Sequence, residues 1–259
     1  MSGAVRVLHA EVLKALSLKP VWLGSALALV LPLLVTWVAS SGLVADLRAG
    51  DPYALEQLTD MPFMELGMAG VPGLVIMATA VFASEFQRGS QETGGTRQLA
   101  TTLLVDPGRR STLVAKILVV LLAGTLLLAG ALALELSLLH HLLGEWASTR
   151  SDLTPGRLAA LAAWWGINAL LAAALATLSR GATVPLVALV TASSLVSPSV
   201  LLSKVTDLAV YLPDAAAYSL FIRQTRFGIT PTAAVVTCGV WALAALVTTA
   251  VAWIRRDAS

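Results

Sequence analysis

Residues 113–137 read LVAKILVVLLAGTLLLAGALALELS. Between Lys116 and Glu135 nothing in this stretch is charged. Wound as a helix, such a run crosses the roughly 30 Å hydrocarbon core of a bilayer. Comparable runs recur, and spans are predicted at about 20–41, 66–83, 113–137, 155–178, 182–202 and 231–254. The composition agrees. The 259 residues are 57% hydrophobic and 12% charged, whereas soluble domains carry about 25% charge. So few charges cannot cover a water-facing surface of this size. The expected class is an all-α integral membrane protein with six transmembrane helices, forming one domain over 1–259.

Local signals refine the spans. Thr154-Pro155 and Thr230-Pro231 are helix starts, an N-cap residue followed by proline at the first helical position. Pro32 is expected to kink the first span, and Val71-Pro72-Gly73 to open the second irregularly. The alanine-rich fourth span permits close approach of a neighbouring helix. Residues 3–19 place Val5, Leu8, Val12 and Ala15/Leu16 at helical spacing, with Arg6 and Lys14 off that stripe. They are expected as an amphipathic helix on the membrane interface. Arg6, Glu11, Lys14 and Lys19 make this stretch too polar for a cleavable signal peptide. Residues 42–65 are expected as a polar, acidic loop, 84–112 as a basic loop, and 203–230 as a long outer loop.

Orientation follows the basic residues. Arg6, Lys14, Lys19, Arg88, Arg97, Arg109, Arg110, Lys116, Arg180, Arg255 and Arg256 fall on one side, eleven of the seventeen Lys and Arg. Arg48, Arg150, Arg157, Lys204, Arg223 and Arg226 fall on the other. The first side is expected to be cytoplasmic, with both termini there, in the cell (plasma or inner) membrane.

No Gly-rich stretch ends in Gly-Lys-Ser/Thr, so nucleotide hydrolysis by this chain alone is not expected. His140 and His141 are adjacent, and neighbours in a helix point about 100° apart, which does not suit a shared metal. Ser40-Ser41-Gly42 lacks a histidine base in any span. The lone Cys238 has no partner for a disulfide. No catalytic, metal or cofactor residues are therefore assigned. Ionisable residues inside spans mark ion paths. Glu135, near the outer end of the third span, is expected to snorkel to the interface, and Asn168 has no evident charged partner. Without paired acids across several spans, a proton- or sodium-coupled carrier is disfavoured.

The loop and re-entry at 84–116, SEFQRGSQETGGTRQLATTLLVDPGRRSTLVAK, are the most organised polar stretch. Glu85 and Arg88 stand where the second span ends. Leu99 and Leu103 share a helical stripe, and Asp106-Pro107-Gly108 makes a turn. Arg109, Arg110 and Lys116 flank the re-entry, where basic side chains favour headgroups. A helical stripe followed by a tight turn suits protein docking better than a plain connector.

With AEVLKALSLKPVW before the first span, this loop, and YLPDAAAYSLF at Tyr211–Phe221, the chain resembles the type 2 ABC transporter permease family over nearly its full length. The resemblance implies that the loop between spans two and three couples the chain to a separate cytoplasmic ABC ATPase. Glu85, Arg88, Arg97, Asp106, Pro107, Arg109 and Arg110 would lie in or beside that contact, and the Ser179-Arg180-Gly181 turn would be a smaller second one. Gly94-Gly95 departs from the pattern by weakening helix there. Tyr211, Leu212, Pro213 and Asp214 would begin short re-entrant or interfacial helices capping the outer face. The chain would act as the membrane-spanning subunit of an exporter, paired with a second permease subunit in the lipid bilayer. ATP and Mg would be bound by the ATPase and not by this chain, and no nucleic acid is involved. The alternatives are an ATP-independent carrier or channel, and a non-transporting anchoring or assembly subunit. An amphipathic small molecule suits such apolar spans best as substrate.

Overall fold

The computed structural model describes residues 3–86, 109–144, 146, 152–223 and 227–255, and its elements there are all helical. Among the described residues five helices are long and apolar enough to cross a membrane: Lys19–Ala49, Pro52–Phe86, Arg110–Leu143, Pro155–Ser179 and Pro231–Ile254. This is the architecture of an all-α membrane-spanning protein.

Helix α1 (Gly3–Ser17) is the expected N-terminal helix, and after Leu18 the chain turns into α2 (Lys19–Ala49). Glu11 and Ala15 of α1 are buried with Leu8 half-buried beside them, while Val5, Val12 and Leu16 are exposed. Along α2 the buried stripe is Val21, Gly24, Ala28, Pro32, Thr36, Ser40, Leu43 and Leu47. These are mostly small residues, and the large ones, Trp22, Leu23, Leu34 and Trp37, are exposed. In lipid, association comes from close packing rather than burial of bulk, so small residues mark the inner face.

The tightest packing lies between α2 and α4 (Val71–Ala83). A Cβ added to Gly73 would stand 2.2 Å from Ala28 N and 2.5 Å from Gly24 O. Only glycine lets these two backbones meet.

Two expected segments differ from the structure. Residues 42–65 form helix rather than loop. α2 continues to Ala49, Gly50 closes it in the left-handed conformation (φ 78°), and Asp51 caps α3 (Pro52–Glu65) by accepting from Tyr53 N at 2.9 Å. The cause is an apolar stripe hidden among the acids: Leu43, Leu47, Leu58 and Met61 pack with Leu139 and Leu143 of α5 (Arg109–Leu143). The segment expected as the fifth span, 182–202, is not one continuous helix. It comprises α7 (Thr183–Pro185), a π-helix Leu186–Leu195, an extended Val196, and α8 (Pro198–Leu202). Ser197 caps α8, accepting from Val200 N at 3.3 Å.

Between α3 and α4 the chain makes a π-helical turn, Leu66–Gly70. Pro72 cannot donate to the carbonyl four residues back, Met68, and Ser194 Oγ donates to that oxygen instead at 3.1 Å. The indoles of Trp164 and Trp165, on α6 (Pro155–Ser179), donate to Gly67 O at 2.9 Å and Leu66 O at 3.0 Å. The irregularity is thereby satisfied inside protein, as a bilayer requires. Within the 203–230 segment, a 3-10 turn Asp207–Tyr211 and α9 (Pro213–Phe221) are the expected short helices. The last helix, α10 (Pro231–Ile254), begins at a Thr230 whose Oγ1 accepts from Ala233 N at 3.4 Å. Thr154 also stands at its N-cap position, but its side chain makes no capping bond.

Candidate functional site

At the α1 end of the bundle, charges of three elements meet. Glu11 and Lys14 lie three residues apart on α1, hence on neighbouring faces of one helix. Glu85 stands in the 3-10 turn Ser84–Phe86 that ends the α4 run, and Lys116 lies in the second turn of α5. Lys116 Nζ is 2.6 Å from Glu11 Oε2 and 2.7 Å from Glu85 Oε1, and Lys14 completes an ion pair with the same Glu85 oxygen. Among the described residues two lysines and two glutamates of this cluster balance. The Lys116 and Glu85 side chains are 1% and 0% exposed, so Lys116 does not reach the headgroups as expected. Such a buried set is poor as a source of net stability. Deleting one member is costly, about 3–5 kcal/mol, because the remaining charge is stranded.

This cluster is the root of the segment the sequence singles out for docking. Phe86, the last described residue before it, packs edge-on against Trp253 with ring centroids 6.4 Å apart, and Phe82 does likewise at 6.3 Å. On the return, Arg109 opens α5 and Arg110 is exposed. Arg88, Arg97, Leu99, Leu103, Asp106, Pro107 and the Gly94-Gly95 pair lie outside the described residues. Arg180 is exposed and caps α6 in the left-handed conformation (φ 55°), which gives the expected tight turn.

The opposite end holds a second buried ionic group. Arg157, in the first turn of α6, donates through Nε to Phe221 O (2.9 Å), through Nη2 to Asp60 Oδ1 (2.5 Å) and through Nη1 to Asp152 O (3.2 Å). Its guanidinium also lies 3.9 Å over the Phe63 ring. Asp60 Oδ2 accepts from Arg223 N at 2.8 Å, and Arg223 pairs with Asp152.

Nearby, Asp214 is buried at the start of α9 and accepts from Ser197 Oγ (2.7 Å), Ser199 N (3.1 Å) and Ser199 Oγ (2.7 Å). It ties the broken 183–202 segment to α9. Pro213 opens α9 after Leu212, and the exposed Tyr211 accepts the Trp241 indole on its carbonyl at 2.9 Å. Burial, then the Asp214 carboxylate, pushes the Tyr218 phenol well above its ordinary range. It therefore stays neutral beside Gly67 O, 3.5 Å away.

An apolar groove of about 790 Å³ lies between α1, α2, α4 and α5. Leu8, Leu16, Trp22, Ser25, Met77 and Leu126 line it. Its walls offer hydrophobic contact and little hydrogen bonding, which fits an acyl or alkyl group rather than a sugar.

No family model, curated protein or solved structure matches this chain. The functional argument therefore rests on the site itself.

Among the described residues no three His, Cys, Asp or Glu side chains gather as a metal set, and His140 and His141 are exposed in the last turn of α5. Glu135 does not snorkel as expected. It is fully buried and accepts from Thr36 Oγ1 of α2. Sequence reasoning placed Glu85 correctly at the end of its helix but missed its partners Lys14 and Lys116, missed Glu11 on Lys116, and missed Asp60 with Arg157. The available signal was a charge set inside an apolar run, which demands a counter-charge.

Proposed function

We propose that this chain is the membrane-spanning permease subunit of an ATP-driven exporter of the type 2 ABC class. In this reading it crosses the membrane six times, the broken segment from Thr183 to Leu202 supplying one crossing with the cap beneath which it ends. Both termini lie in the cytoplasm, and a second permease subunit completes the path. Hydrolysis of ATP belongs to a cytoplasmic ABC ATPase that grips the 87–108 segment, with the Arg180 turn as a lesser contact.

The observation that carries the proposal is the buried Glu11–Lys14–Glu85–Lys116 cluster. It welds the root of 87–108 to α1 and α5, so a push on that segment moves three elements as one body. A rigid lever of this kind is what biasing a two-state path from outside the membrane requires. Glu85, fully buried, acts in this scheme by holding the lever rather than by touching the ATPase. The apolar groove supports an amphipathic substrate or a lipid-like one.

Affinity purification of the tagged chain from its native membranes tests the proposal. It should bring down a P-loop ATPase whose hydrolysis responds to an amphipathic substrate. A folded chain that purifies with no ATPase contradicts it.

A further inference from the structure

Glu135 poses a problem of charge. Its residue surface is 0% exposed, Oε1 accepts from Thr36 Oγ1, and Oε2 is buried with no hydrogen-bond partner. Glu65, half-buried at the end of α3, stands near enough to act on it electrostatically. Thr36 on α2 bonds to it, and Glu65 is the titratable group that acts on it from a neighbouring helix. On its own helix the next titratable residues are His140 and His141, exposed in the last turn. Among the described residues no Lys, Arg or His forms an ion pair with either carboxylate.

The surroundings make this a built site rather than a stray acid. Glu135 lies 19 residues beyond Lys116 on α5, about 28 Å along the helix, at the far margin of the apolar slab. One turn further, Leu139 joins Leu43 and Leu47 in an apolar cluster that closes this side off. Glu65 immediately precedes the π-helical turn Leu66–Gly70, a distortion frequently found at functional sites. A carboxylate oxygen left unsatisfied in such surroundings is expensive, and two carboxylates without a basic partner more so. What would compensate them is a positive charge, and none of the described residues places one in an ion pair with either carboxylate.

We propose that Glu135, Thr36 and Glu65 form a binding site for one small exchangeable cation, a proton or a sodium ion. Glu135 Oε2 is the principal ligand atom, Thr36 orients the carboxylate through Oε1, and Glu65 supplies the second negative charge. The site needs only the membrane bundle and is independent of the exporter reading.

The test is carbodiimide labelling of the full-length protein in liposomes, read by peptide mass spectrometry. Dicyclohexylcarbodiimide partitions into lipid and reacts with protonated carboxyls. Labelling of Glu135 at acid pH that sodium suppresses at constant pH identifies a sodium site. Labelling that is indifferent to sodium and lost as pH rises identifies a proton site. Either supports the proposal, and Thr36→Val should weaken the sodium suppression in the first case and move the pH at which labelling is lost in the second. No labelling of Glu135 at acid pH, or labelling that neither sodium nor pH alters, overturns it.

Discussion

Lys116 Nζ and Glu85 Oε1 lie 2.7 Å apart, joining the start of one long helix to the end of another across 31 residues of chain, with neither side chain more than 1% exposed. Because Glu11 and Lys14 share the same cluster, removing one charge strands others, whereas removing Lys116 and Glu85 together leaves a balanced Glu11–Lys14 pair. Lys116→Met and Glu85→Gln alone should each destabilise by about 3–5 kcal/mol. The double variant should cost less than the sum of the two. Thermal unfolding in detergent measures this, and additive losses would show that the two residues are not coupled.

The α2–α4 contact makes a prediction of opposite sign at two glycines. Gly73→Ala must push its new Cβ against backbone atoms of Ala28 and Gly24, and should cost about 1–3 kcal/mol. Gly42, in the interior of α2, has open space where a Cβ would stand. Gly42→Ala should stabilise by about 0.5–1 kcal/mol through helix propensity. Paired melting curves check both, and equal effects would contradict the close approach.

Arg157 cannot be replaced by lysine. Its guanidinium reaches Phe221 O, Asp60 and Asp152 at once while lying over Phe63. One ammonium cannot reproduce that fork. Arg157→Lys should lose about 2–3 kcal/mol, and should free Arg223, which Asp60 and Asp152 hold, for faster cleavage by trypsin. Unchanged cleavage at Arg223 would separate the two ends of this network.

The five long apolar helices were legible because membrane solvation imposes a length and a composition that a run such as 113–137 displays openly. Thr230-Pro231 was legible for a local reason, since the cap lies within four residues of its partner. What stayed hidden is non-local. The charged clusters join residues 71, 97 and 105 positions apart, and no periodicity reveals such pairing. Residues 42–65 looked like a loop because their acids outnumber basic residues, while the stripe of Leu43, Leu47, Leu58 and Met61 was spread over two helices meeting at Gly50. The break at Val196 was masked by an uninterrupted apolar composition. The groups that could have signalled the Glu135 site, Thr36 and Glu65, lie on two other helices and come together only in the folded bundle.

The central claim is that the 87–108 segment is a cytoplasmic handle, braced at its root by Glu85 and Lys116. Single cysteines at Arg97 and Arg110, in a Cys238→Ser background, test it by labelling in intact cells. The account predicts that both react with a membrane-permeant maleimide and neither with an impermeant one. Reaction of either cysteine with the impermeant reagent from outside would put the handle on the wrong side of the membrane and contradict it.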